Sequence, residues 1–184
     1  MNQAIQAAVC YFSRTGNTRR VAEQINRALS EAGVHSALHE IRPDLELDYL
    51  DYQLFFIGAP VYGFLPPEPV SGFLRDTQRR TNRVVPGAPE RPGHAAVVFC
   101  TYGGGHTGVR EAVPTLKYMG QFLEHQGVPV VDEWAVVGEN RDADEAYNRG
   151  GRIGNIAGRP NEHDLREIYE RTRGLLLRLS NRFG

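Results

Sequence analysis

Apolar and polar positions fall along this chain in blocks whose period changes from one block to the next. Residues 4–11 and 54–58 are near-continuous apolar runs, the pattern of strands covered on both faces. Residues 94–101 and 128–137 predict two more strands, and residues 35–40, after a break at Gly33, a short one. Between them the period lengthens. Val21, Ile25, Ala28 and Leu29 share a helical face, as do Val70, Phe73, Leu74 and Thr77, and then Val113, Leu116, Gly120 and Leu123. Pro114 suits the start of the third helix. The last helix carries the longest stripe, Leu165, Ile168, Tyr169, Thr172, Leu175, Leu176 and Leu179, with Asn161 as its cap and most arginines off the stripe. Strands alternating with helices predict a parallel sheet covered on both faces. Residues 43–51 are acidic and turn-like, with Leu45, Leu47, Tyr49 and Leu50 suited to a brief helix.

The first strand empties into Tyr11-Phe12-Ser13-Arg14-Thr15-Gly16-Asn17-Thr18, which opens the first helix. Such a junction presents unpaired N–H groups and the positive end of a helix dipole, the requirements for an anion. Ser13, Thr15 and Thr18 add hydroxyls, Asn17 an amide, and Gly16 lets the backbone close. The same residues also suit a plain helix cap. No lysine is present and the nucleotide-triphosphate loop pattern is absent, so neutral donors around a phosphate monoester are the chemistry expected.

Two later loops are also unusual. Ala59-Pro60-Val61-Tyr62-Gly63-Phe64-Leu65-Pro66-Pro67-Glu68-Pro69 is stiffened by proline and carries two aromatics beside a glycine, walls for a planar apolar ring or a cover for the core. Tyr102-Gly103-Gly104-Gly105-His106-Thr107-Gly108 carries a glycine run whose entropic cost implies that something approaches the backbone closely. Two long stretches have no such assignment. Residues 75–93, with Arg79, Arg80, Arg83 and Arg91, suit a solvated loop or a dock for an acidic partner. Residues 138–160 hold five glycines and suit a mobile surface insertion, a lid, a nicotinamide-nucleotide contact or a subunit contact.

Composition narrows the field. The 184 residues suit one domain with a real core, and a net charge of −1 suggests neither a nucleic-acid nor a membrane partner. Lys117 is the only lysine. Residues 1–4 lack the flank of a signal peptide and no run approaches membrane-spanning length, so a cytoplasmic location is expected. Cys10 and Cys100 each end an apolar run and read as buried thiols. No clustered metal ligands occur, so redox chemistry, if any, belongs to an organic cofactor.

The segment Ser13-Arg14-Thr15-Gly16-Asn17-Thr18 resembles the phosphate loop of the flavodoxin family, which binds FMN. The resemblance covers nearly the whole chain apart from 75–93 and 138–160. It implies a single flavodoxin-like α/β domain over 1–184: a three-layer αβα sandwich around a five-stranded parallel sheet of order 2-1-3-4-5. Ligands of such sheets sit beyond the strand carboxyl ends where the winding reverses, beside the loops after strands one, three and four. The resemblance then implies an FMN phosphate held by Ser13, Arg14, Thr15, Gly16, Asn17 and Thr18. It places the flavin ring against Pro60, Val61, Tyr62, Gly63 and Phe64, with the Tyr62–Gly63 peptide near N5. On the other side stand Thr101, Tyr102, Gly103, Gly104, Gly105 and His106, with Tyr102 over the ring and the glycine backbone at its pyrimidine edge. His106 is open between a donor to a flavin carbonyl, a donor to a quinone, and a solvent-facing histidine. No catalytic residue is singled out.

Three functions follow from the resemblance: electron transfer with a redox partner protein, reduction of quinones by NAD(P)H, and a non-redox binding module. The Tyr-Gly loop with its prolines is similar to electron-transfer members. The glycine run and His106 are similar to the quinone-reductase branch. Carrier flavodoxins are strongly acidic, and this chain departs from them.

Overall fold

The computed structural model describes residues 5–81, 84–180 and 182–183. Ala4 at the start of the first apolar run, the signal-peptide reading of residues 1–4, and Arg83 lie outside the described residues. Five strands, β1 (Gln6–Tyr11), β2 (His35–Glu40), β3 (Leu54–Pro60), β4 (Ala95–Tyr102) and β5 (Val130–Val137), pair in parallel in the order β2-β1-β3-β4-β5. The helices are α1 (Asn17–Glu31), α2 (Glu68–Thr81), α3 (Val113–Glu124), α4 (Glu145–Gly150) and α5 (Glu162–Leu179). This is the topology that the resemblance implies.

Why the central strands are apolar at every position follows from the two cores. Successive side chains point to opposite faces. Ala7, Val9, Leu54, Phe56, Val97 and Phe99 therefore pack with α1 and α5, through Val21, Ile25, Leu29, Ile168 and Leu175. Ala8, Cys10, Phe55, Ile57, Val98 and Cys100 pack with α2 and α3, through Val70, Leu74, Leu116 and Met119. Both thiols are buried and free, and burial pushes their pKa well up. They are packing groups, as expected. The edge strand β2, with no fully buried residue, shows why its run was the least apolar.

One expectation needs correction. Residues 75–93 are not simply a solvated loop, because α2 continues to Thr81 and two arginines, Arg80 within it and Arg91 beyond it, bind backbone. Arg91 donates from its N–H to the Gly127 carbonyl (2.8 Å) and from Nε to the Gln126 carbonyl (2.6 Å). Arg80 reaches the Leu47 carbonyl at 3.0 Å. The turn-like reading of residues 43–51 holds: a turn at 43–44 leads to a brief 3-10 helix, Tyr49–Asp51, capped by the Asp48 side chain.

One close approach sets how β3 meets β4. A Cβ on Gly58 would lie 2.1 Å from the ring of Phe99, which is fully buried. Gly58 also accepts from the Phe12 N–H at 3.0 Å, at the root of the loop that opens α1. Gly58→Ala is expected to destabilise the protein by about 1–3 kcal/mol, the usual range for overpacking. Thermal unfolding should show a fall of several degrees; an unchanged midpoint would mean that Phe99 moves aside freely.

Candidate functional site

The loop between β1 and α1 is built to leave donors unpaired. Gly16 caps α1 in the left-handed region (φ 96°), with no side-chain cap and no acid in the first turn. Its own N–H is satisfied by Ser13 Oγ at 3.2 Å. The N–H groups of Thr15, Asn17, Thr18 and Arg19 find no acceptor among the described residues. Buried or half-buried helix ends ordinarily find partners. An anion is the partner this end suits. The plain-cap alternative fails here, since neither Ser13 nor Thr15 caps the helix.

The side chains of Asn17 and Thr18 also find partners within the protein. Thr18 is buried and shares a hydrogen bond of 2.8 Å with Thr101, tying α1 to the end of β4. The Asn17 amide donates to the Glu139 carbonyl at 2.9 Å, tying α1 to the segment after β5. Arg14 stretches sideways: it forms an ion pair with Asp142, donates to the Tyr62 hydroxyl at 3.2 Å, and lies over the Tyr62 ring.

The loop after β3 is a tight hairpin. Tyr62 and Leu65 exchange backbone hydrogen bonds of 3.0 and 3.1 Å, and both residues between them have positive φ, Gly63 at 55° and Phe64 at 70°. Type I′ turns require this. For Phe64 the conformation is strained, and the buried Thr115 hydroxyl holds it by donating to the Phe64 carbonyl at 2.9 Å. Tyr62 and Phe64 remain 39% and 56% exposed, so two aromatic faces are available.

These pieces enclose an open cavity of about 460 Å³, within the range of small-molecule sites. Of the residues expected from sequence, Ser13, Arg14, Thr15, Asn17, Thr18, Pro60, Val61, Tyr62, Gly63, Phe64, Thr101, Tyr102, Gly103 and His106 line it. Gly16, Gly104 and Gly105 do not; they shape the backbone behind it. The Tyr102 ring is also not presented as expected. Tyr102 is buried, burial pushes its hydroxyl pKa up, and a Cβ on Gly104 would meet its ring at 2.8 Å.

The glycine run is approached closely, but by the chain itself. A Cβ on Gly103 would lie 2.9 Å from the Tyr147 hydroxyl, and one on Gly105 would lie 2.3 Å from the Tyr147 ring. The Tyr147 hydroxyl accepts from the Gly105 N–H at 3.2 Å. Sequence reasoning missed Tyr147, as well as Glu111, Gly138, Glu139, Asn140, Arg141 and Asp142, all of which line the cavity. Tyr147 is the only aromatic within 138–160. Neighbouring strands carry neighbouring loops, so an aromatic in the loop after β5 was the available signal.

The 138–160 segment is likewise not a loose insertion. The buried Asn148 amide donates to the Asn140 carbonyl and accepts from the Asn140 N–H, each at 2.9 Å. Arg152 donates from its N–H to the Gly105 carbonyl at 2.8 Å, and Glu139 to the Arg159 carbonyl at 2.8 Å. The segment is docked on the cavity.

No protein-family model and no curated protein matches the chain. Solved structures do. A flavodoxin from the domain Archaea matches with a TM-score of 0.67 at 17% identity, covering 96% of this chain and 99% of its own. Flavodoxin 2 from Bacillus cereus matches with 0.67 at 16%, covering 94% and 99%. A WrbA-like flavodoxin from Agrobacterium tumefaciens matches with 0.64 at 14%, covering 97% and 99%. The chain therefore has the flavodoxin-like fold over nearly its whole length.

Proposed function

We propose that the protein binds FMN in this cavity and passes electrons to and from a redox partner protein. The observation that carries the proposal is the bare N-terminus of α1, its N–H groups unpaired, opening into a cavity walled by aromatic side chains. The residues fit the cofactor in kind. The Thr15, Asn17, Thr18 and Arg19 N–H groups, with the Ser13 and Thr15 hydroxyls, would hold the phosphate without lysine, and no carboxylate in the first turn opposes it. Bound FMN supplies the redox chemistry. The chain binds and orients it, and the Arg14–Asp142 pair lies across the rim between the first and last loops.

Titration of the purified protein with FMN and with riboflavin tests this. FMN is expected to bind and riboflavin, lacking the phosphate, to bind at least about a hundredfold more weakly, the worth of one or two hydrogen bonds to a charged group. Equal affinity for the two would remove the phosphate site. A second reading, an NAD(P)H-dependent quinone reductase, is favoured by His106, which lines the cavity and is exposed. Anaerobic bleaching of the bound flavin by NADPH, with turnover of a quinone, would place it first.

A further inference from the structure

We infer that Tyr147, supplied by the segment after β5, is the second aromatic wall of the flavin pocket, in the role that the resemblance gives to Tyr102. This rests on the FMN reading above. Tyr102 has its ring turned into the core beneath Gly104. Tyr147 is half-buried, with its ring against the backbone of Gly103 and Gly105, and it lines the cavity.

The topology sets Tyr147 across from the Tyr62 hairpin. In the order β3-β4-β5, the loop after β4 has the hairpin on one side and the 138–147 segment on the other. The ring is held in place before any ligand arrives. Its hydroxyl accepts from Gly105, its N–H donates to the Asp144 cap at 2.7 Å, and His106 stands edge-on at 6.0 Å. Arg152 pins the far side of α4 to the Gly105 carbonyl. A tyrosine so fixed gives contact area at little entropic cost. A Cβ at position 103 or 105 would push it away, so the glycines serve the wall. A flavin ring walled on both faces offers its edge. That arrangement suits exchange with a protein surface and leaves no face on which a nicotinamide or quinone can stack.

The test uses the full chain, FMN titration and the emission of bound flavin, because a phenol in contact quenches flavin emission and a phenylalanine ring does not. Tyr62→Ala should bind FMN and stay dark, with Tyr147 as the remaining quencher. Tyr62→Ala combined with Tyr147→Phe, which keeps the ring and loses only the hydroxyl's bond from the Gly105 N–H, should emit several-fold more while remaining folded. Tyr147→Ala should weaken FMN binding roughly tenfold or more, the scale of one aromatic stack. If Tyr62→Ala alone emits as strongly as the double variant, if the double variant stays dark, or if Tyr147→Ala binds FMN as tightly as wild type, the inference is overturned while the FMN reading stands. Failure of the wild-type protein to bind FMN overturns both.

Discussion

Ser13→Asp should sharply weaken FMN binding while leaving the ligand-free protein as stable as before or slightly more so. Aspartate at 13 can accept the Gly16 N–H as the serine hydroxyl does (3.2 Å), so the turn is kept. Its carboxylate then sits at a helix N-terminus whose first turn has no acid, a contact that stabilises by about 0.3–1 kcal/mol. The same charge takes the seat of the phosphate. Losing two hydrogen bonds to a charged group costs about 3–6 kcal/mol, so the Kd should rise by roughly two to four orders of magnitude. Calorimetric titration and thermal melts of one preparation give both values. Opposite signs for binding and stability are the signature; a variant that keeps its FMN affinity would show that the phosphate lies elsewhere.

Asp164→Asn should be among the most damaging polar changes distant from the cavity. Asp164 is 5% exposed and pairs with Arg159 through Nε at 2.9 Å and through a second contact from Nη2. It also accepts from the Asn161 N–H at 2.8 Å, closing a capping box at the start of α5. Burial alone would raise its carboxyl, but the hydrogen bonds from Arg159 and the Asn161 N–H outweigh it and hold the pKa below its ordinary value. A depressed carboxyl contributes stability that is fully present above the unfolded value, about 3.9, and is lost as pH falls through the folded one. Breaking the pair should cost about 2–4 kcal/mol at neutral pH, a fall of roughly 5–15 °C. The melting curves of variant and wild type should begin to converge below about pH 4 and meet once pH falls through the folded value. A constant gap down to acid pH would assign the loss to packing rather than charge. The change should also reach the site, since the Arg159 carbonyl accepts from Glu139 and the Pro160 carbonyl from Arg20 at 2.6 Å.

The remaining surface bears on which partner the site serves. Tyr62, Phe64, Leu65, Val109 and Val113 are exposed large hydrophobics on the hairpin, the turn before α3 and the start of α3. Arg14 is paired with Asp142, and Glu111 accepts from the His106 and Thr107 N–H groups at 2.8 and 2.6 Å. At the rim the charge of Arg14 is therefore balanced by Asp142, in a chain of net charge −1. Docking through apolar contact and shape, weakly dependent on salt, is the expectation for a protein partner here. No helix among the described residues is long and apolar enough to cross a membrane.

What the linear pattern determined is what short-range physics controls. Apolar runs buried on both faces announced β1, β3 and β4, and the helical stripe from Ile168 to Leu179 announced α5, because period and burial are written in each segment alone. The Ser13–Thr18 junction was legible for the same reason, since a bare helix start depends on consecutive residues. What the tertiary structure decided are contacts between segments far apart in sequence. Three glycines showed that something presses on that backbone, but not that it is Tyr147, forty-two residues away from Gly105. That the Thr18 hydroxyl meets Thr101 at the end of β4 was not legible in sequence. The resemblance made Tyr102 a wall, yet residues on a strand alternate between faces and its ring packs into the core. A side chain's type is local, whereas its partner is set by which loops the sheet order brings together.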